Sequence, residues 1–266
     1  MNTPDPTQIA ANATALKVHL RVVSIGHTTY RVVTLRPSMG VRFASNYFHA
    51  AWHIVTGVAG AHVLGRLLWG LAFQRQPGTI VLIDAPHLVT TPFEADPSDP
   101  ILLMNTALTR FDRDDLARLA RSLRRAPVAP RTLRWHTFGM IAAFARPRPR
   151  HYQAPPTALT ARERISRTAG FICYTAPPAM LREQARSIFD VSVYHPLVED
   201  PDDWRYEGEV QVLPNFDDAV AAARVARREV VGDRAIESDD ELQVVYDQRD
   251  IVTARRRRAR EAAKRR

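Results

Sequence analysis

A stretch of 23 residues without a formal charge, residues 43–65, constrains the fold of this chain more than any other feature. It is long enough to cross a bilayer as a helix. It also contains Asn46 and three histidines, and Arg66 follows it directly, so its insertion into hydrocarbon would be costly. We therefore expect the wider apolar segment, residues 44–73, to form one long buried helix of a soluble protein, with Ser45 or Asn46 as its N-cap. Association with a membrane or a partner protein through residues 44–73 is the alternative hypothesis.

The spacing of side chains within this segment gives two further expectations. On a helix, His49 and His53 would share one face and could chelate a metal ion, whereas His62 would point the opposite way. The sequence identifies no third ligand, so histidines within a packed core are the better interpretation. Three small residues spaced four apart would let a second helix approach closely: Gly57, Ala61 and Gly65.

Several other segments have the composition of β-strands. Residues 16–25 and 28–36 predict a hairpin, because Gly26 can adopt the positive φ that a two-residue turn requires. Residues 79–84 (TIVLID) are apolar up to the final aspartate, which predicts a short strand covered on both faces. Two further strands are predicted at residues 101–108 and at residues 132–145, the latter with a helix as the alternative.

The clearest predicted helix follows Asp112, which can cap it. Two aspartates in its first turn and two arginines near its end suit the helix dipole. Its apolar side chains recur at i, i+3, i+4 and i+7 and predict one buried face: Leu116, Leu119, Ala120 and Leu123. The later part of the chain predicts a helix (161–169), a helix opened by Pro177 and Pro178, a strand (205–213), a helix capped by Asn215 and a strand (241–247).

These elements predict an α+β fold with a mixed β-sheet, a long buried helix and a smaller α/β part towards the C-terminus. Residues 146–157 (RPRPRHYQAPPT) favour an extended, proline-rich linker. The predicted division is a disordered N-terminus (1–14), an α+β main domain (15–145), the linker (146–157), a smaller α/β part (158–250) and a basic, disordered tail (251–266).

Several common functional motifs are absent from the sequence. It contains no G-K-[ST] phosphate loop, GxGxxG, GxSxG, HExxH or CxxC, so P-loop, classical dinucleotide-binding, α/β-hydrolase and zinc-finger assignments lack their residues. No cofactor can be named from the residues. Cys173 is the only cysteine and the first residues do not resemble a secretory signal, so we expect a cytoplasmic protein.

The end of the TIVLID strand supplies the catalytic hypothesis. Asp84 ends the strand and His87 follows three residues later, so both could face one pocket. Aspartate can orient a partner or bind a metal, and histidine titrates near neutral pH, which suits proton transfer. In the alternative interpretation Asp84 caps a turn and His87 lies on the surface.

The net charge of +9 is distributed in blocks, with +8 in residues 110–150 and +7 in the last twelve residues. Residues 199–254 contain 6 basic and 16 acidic groups, whereas residues 255–266 contain 8 basic groups and 1 acidic group. A run of cations binds phosphates without sequence specificity. We therefore predict an accessory or binding protein that contacts nucleic acid or an acidic protein surface through its tail, an enzyme or an interaction module being the alternatives. The tail cations are Arg255, Arg256, Arg257, Arg258, Arg260, Lys264, Arg265 and Arg266.

Overall fold

The computed structural model describes residues 15–48, 50–125, 131–145, 163–193 and 210–264. Within these ranges two mixed β-sheets and six α-helices form the predicted α+β fold. The strands are β1 (Ala15–Ile25), β2 (Thr28–Thr34), β3 (Phe43–Phe48), β4 (Ala51–Thr56), β5 (Thr79–Ile83), β6 (Ile101–Asn105), β7 (Arg131–His136), β8 (Arg164–Thr168), β9 (Phe171–Ala176) and β10 (Val210–Val212). The helices are α1 (Val58–Ala72), α2 (Arg113–Arg125), α3 (Met140–Phe144), α4 (Pro178–Val193), α5 (Phe216–Val230) and α6 (Asp239–Lys264).

The larger sheet has the strand order β7-β1-β2-β5-β6-β9-β8. β1 and β2 form the predicted hairpin, with Ile25 opposite Thr28 and Gly26 at a φ of 58°. The pairs β2–β5 and β6–β9 are parallel, and the other pairs of this sheet are antiparallel. All five residues of β5 are buried, as the apolar run predicts, because helices cover both faces of the sheet.

Two hydrophobic cores lie on opposite faces of this sheet. On one face, α1 and α4 share a core with Val33, Val81 and Leu103. On the other face, Leu116 and Leu119 of α2 pack with residues of β2, β5 and β6. The predicted cap of α2 is confirmed, since the Asp115 N–H donates to Asp112 Oδ1 at 2.7 Å.

The prediction of one helix over residues 44–73 is wrong in its first half. Residues before Gly57 form the hairpin β3–β4, so Ser45 and Asn46 lie in a strand and cap no helix. The aromatic and β-branched side chains of β4 favour an extended chain, and β10 adds to β4 as a parallel third strand. The helix begins only at α1, of which 11 of the 15 residues are buried.

Small side chains bring α1 and α4 together, as their spacing predicts. A Cβ atom at Gly65 would lie 3.2 Å from the carbonyl oxygen of Ala185 in α4. Ala61 is fully buried in the same core, whereas Gly57 precedes the helix and lies against Phe216 of α5. Gly65 therefore lies at the close approach of the two helices.

Three later segments differ from their predicted state. The predicted helix over 161–169 contains the strand β8, which pairs with β9 around a turn at Ala169 and Gly170, both with positive φ. The predicted strand over 241–247 lies within α6, because Ser238 caps that helix by accepting the Glu241 N–H at 3.2 Å. Residues 132–145 contain both predicted alternatives in succession, β7 and then α3.

The sequences on both sides of the proposed linker contribute to the larger sheet. β8 and β9 extend it beside β6, and residues 146–157 themselves lie outside the described residues, as do residues 1–14. The proposed C-terminal α/β unit contributes β10 to the smaller sheet, where it pairs with β4.

The tail is helical up to Lys264 and not disordered there, because α6 continues to that residue. α6 packs along α5 in the opposite direction: Gln248 contacts Glu229, and Arg260 pairs with Asp218 near the start of α5. Val245 and Val252, seven residues apart, are buried on α6. The arginines near the end of α6 also suit the negative end of its dipole.

Candidate functional site

Asp84 and His87 follow directly after the end of β5. The chain turns between them through a cis Ala85–Pro86 peptide, and the His87 N–H donates to the Asp84 carbonyl oxygen at 2.9 Å. The His87 side chain is only 2% exposed, and its Nδ1 lies 2.9 Å from the carbonyl oxygen of Val41. A carbonyl oxygen only accepts, so Nδ1 carries the proton and Nε2 is left without a partner among the described residues. The alternative interpretation, that His87 lies on the surface, is therefore wrong.

The Asp84 carboxyl group is half-buried. Burial raises its pKa, and the nearby side chains of Arg21 and then His87 oppose that rise. Neither Asp84 nor His87 lines the cleft at Arg42 and Asp217 or the cleft at Glu94. The catalytic role of Asp84 and His87 stays a hypothesis. The hydrogen bond from His87 to the Val41 carbonyl oxygen holds the imidazole within the core.

The histidines of the apolar segment do not form the predicted pair on a helix. His53 lies on β4 and His62 on α1, and His49 lies outside the described residues. Burial, with a smaller contribution from Arg66, lowers the pKa of His62 to about 4, so this imidazole is neutral near pH 7. Within the described residues, no three His, Cys, Asp or Glu side chains are grouped so that they could hold a metal ion. No helix in the same residues is both long and apolar enough to span a membrane.

The tail arginines surround the last turns of α6. Arg255 and Arg258 are exposed three residues apart, whereas Arg260 pairs with Asp218 of α5, and Arg257 pairs with Glu261 at 3.1 Å. Arg256 is half-buried. The side chain of Lys264 and the whole of Arg265 and Arg266 lie outside the described residues.

Among the described residues, two of the clefts open where loops and helix ends meet. The smaller one, of about 350 Å³, lies between the starts of α1 and α5 and is lined by Arg42 and Asp217, which pair at 3.4 Å. The larger one, of about 720 Å³, has walls from β3, β4, residues 91–99, β8, α5 and the start of α6. We call it the Glu94 cleft after the half-buried carboxyl group in its wall. Its volume is typical of small-molecule sites.

Hydrogen bonds attach the 91–99 segment to the edge strand β3. The Ser45 N–H donates to Ser98 Oγ at 3.0 Å, and the Asp99 N–H donates to Ser45 Oγ at the same distance. Ser98 in turn donates to the Val89 carbonyl oxygen at 2.6 Å. These bonds fix the backbone that presents the acidic groups of the cleft.

Glu94 and Tyr246 face each other across one wall of the Glu94 cleft. The Thr91 hydroxyl donates to Glu94 Oε1 at 2.7 Å, and the Tyr246 hydroxyl lies 3.5 Å from Glu94 Oε2. Burial raises the pKa of Glu94; Asp96 adds to the rise and the bond from Thr91 opposes it. Burial, with repulsion from Glu94, raises the pKa of Tyr246 to about 12, so its hydroxyl stays protonated.

Two ion pairs and an aromatic pair complete the cleft. Arg167 of β8 binds Asp99 at 2.5 Å, and Arg227 of α5 binds Asp96 at 2.7 Å. The Arg167 guanidinium also lies 5.8 Å from the centre of the Trp52 ring. The rings of Tyr47 and Trp52 are 5.0 Å apart, and Tyr47 is 57% exposed.

The sequence does not predict the Glu94 cleft. Its residues come from six separate segments. Three stretches that supply them, residues 44–56, 161–169 and 241–247, have a secondary structure other than the predicted one. No local spacing connects Glu94 with Trp52 or Tyr246. Comparisons of the chain with known protein families, with curated proteins and with solved structures found no match.

Proposed function

We propose that this protein binds nucleic acid without sequence specificity, through the basic end of α6. The observation that carries the proposal is the continuation of α6 to Lys264, which arranges the tail arginines on a helix. Arg255 and Arg258 are exposed on it and have no ion pair with another described residue. Phosphate oxygens are natural partners for such guanidinium groups, which can bind them through two hydrogen bonds.

The separation of charge along α6 supports a contact at its C-terminal end only. The helix has 26 residues and begins with three acidic side chains, Asp239, Asp240 and Glu241. At 1.5 Å per residue these acids lie about 25 Å from Arg255, which is more than two Debye lengths at physiological ionic strength. Their repulsion of a polyanion is therefore screened at the basic end.

The internal ion pairs leave part of the charge available. Asp218 and Glu261 neutralise Arg260 and Arg257, and Arg256 is half-buried. We therefore assign the main phosphate contacts to Arg255 and Arg258. The single cysteine, Cys173, is buried and has no partner for a disulfide, which supports a place in the cytoplasm as part of the same proposal.

The test is the salt dependence of DNA binding, measured by fluorescence anisotropy with two labelled duplexes of unrelated sequence. Each arginine that binds a phosphate makes the plot of the logarithm of the binding constant against the logarithm of the salt concentration steeper by about 0.9. The double variant Arg255→Gln/Arg258→Gln should therefore reduce that steepness by about 1.8 on both duplexes. The matched control is Arg118→Gln/Arg121→Gln, which removes the same charge from two exposed arginines of α2.

The control variant should retain the slope of the wild-type protein. An equal effect of the two double variants would mean that net charge, not the end of α6, determines binding. Absence of DNA binding by the wild-type protein at low salt would reject the proposed function. A preference for one duplex over the other would contradict the absence of sequence specificity.

A further inference from the structure

The Glu94 cleft carries an excess of negative charge in a chain whose net charge is +9. Five acidic residues line it, and its two arginines each bind one of them: Arg167 binds Asp99, and Arg227 binds Asp96. The remaining three are Glu94, Glu237 and Asp239, and the last two are exposed at the start of α6. A cleft with this balance attracts cations and repels anions.

The aromatic side chains favour an organic cation over a metal ion. Tyr47, Trp52 and Tyr246 all line the cleft, and the Tyr47 ring is largely exposed there. The face of an aromatic ring attracts ammonium and guanidinium groups, and Arg167 already uses Trp52 in this way. Among the described residues no cluster of side chains is suited to a metal, so the acidic groups of this cleft do not form one.

A buried amide adds a second polar feature to the cleft wall. Asn46 lies in the edge strand β3, lines the cleft and is 7% exposed. Its amide forms no hydrogen bond with another described residue and is not among the fully enclosed polar atoms, so it can donate to or accept from a ligand in the cleft. The Tyr246 hydroxyl, next to Glu94, supplies a further neutral polar group.

We propose that the Glu94 cleft binds a small organic cation that carries an amine or a guanidinium group. The carboxylates of Glu94 and Asp239 neutralise the cation, and the ring of Tyr47 covers its apolar part. This site is separate from the basic end of α6, so either proposal can fail without the other.

The test is isothermal titration calorimetry with agmatine, which carries both an amine and a guanidinium group. Two variants remove one carboxylate each without changing the shape of the side chain, Glu94→Gln and Asp239→Asn. Removal of one partly exposed charge partner should weaken agmatine binding about fivefold. Tyr47→Ala, at an exposed ring, should also weaken binding.

The matched control is Asp240→Asn. Asp240 is also exposed in the first turn of α6 and carries the same charge, but it does not line the cleft. Saturable binding of one agmatine, weakened by Asp239→Asn and unchanged by Asp240→Asn, would support the proposal. Absence of saturable binding, or equal effects of these two variants, would overturn it. Tighter binding of the neutral probe sucrose, weakened by Glu94→Gln, would also overturn it, because the cleft would then select hydroxyl groups and not charge.

Discussion

A substitution at Gly70 of α1 would show how closely this helix packs against Trp135 of the larger sheet. A Cβ atom at this position would lie 2.6 and 2.8 Å from two carbons of the Trp135 indole ring. Trp135 is 1% exposed, and its Nε1–H donates to the Arg66 carbonyl oxygen at 3.2 Å. The substitution Gly70→Ala therefore requires the indole ring to move inside a closely packed core.

Two opposing effects determine the outcome of Gly70→Ala. Alanine is the better helix former by about 1 kcal/mol, which alone would stabilise the variant. Forcing a methyl group into a filled core costs about 1–3 kcal/mol. Displacement of the Trp135 ring also leaves a buried N–H without a partner, at a further cost of about 1–3 kcal/mol. We expect a net decrease of about 2 kcal/mol in the free energy of unfolding.

The assay is urea denaturation followed by circular dichroism. Gly65→Ala is the graded control, because its nearest contact is the Ala185 carbonyl oxygen at 3.2 Å and the next atom is 3.9 Å away. The free energy of unfolding of this variant should lie within about 1 kcal/mol of the wild-type value, since a small adjustment offsets the gain in helix propensity. A Gly70→Ala protein as stable as the wild type would refute the packing of Trp135 against α1.

Two further predictions concern buried titratable groups. Below its unfolded pKa of 6.5, His62 binds a proton in the unfolded chain but not in the native protein, where its pKa is about 4. The free energy of unfolding should therefore fall between pH 7 and pH 5, and His62→Gln should remove about 2 kcal/mol of that fall; equal pH dependence of both proteins would contradict the burial of His62. Burial raises the pKa of the Cys173 thiol to about 12, so Ellman's reagent should label it at pH 8 only after denaturation, and rapid labelling of the native protein would show that the thiol is accessible.

The sequence predicted the elements whose signals are local. Gly26 supplies the positive φ of the first hairpin, Asp112 caps α2, and the apolar TIVLID run forms a strand covered on both faces. These signals act within a few residues and need no information about distant parts of the chain. The buried helix was also predicted, though with its start 14 residues too early, at residue 44 in place of Val58.

The segments predicted wrongly are those in which tertiary contacts decide between two local options. Residues 44–56 have aromatic and small residues that fit either state, and pairing with β10 selects the hairpin. Residues 241–247 (ELQVVYD) contain β-branched and aromatic residues that favour a strand, but the Ser238 cap and the burial of Val245 on a helix packed along α5 select the helical state. For residues 164–168, a place at the edge of the larger sheet beside β9 selects the strand.

The sequence by itself determined the α+β class, the basic C-terminal run and the proximity of Asp84 to His87, because composition and short spacings are properties of the linear chain. Only the tertiary structure decided that His87 is buried against Val41 and that the basic run continues a helix packed along α5. The Glu94 cleft is wholly a product of the fold. Its carboxylates, guanidinium groups and aromatic rings are up to 199 positions apart in the chain, from Tyr47 to Tyr246, and long-range packing alone brings them to one surface.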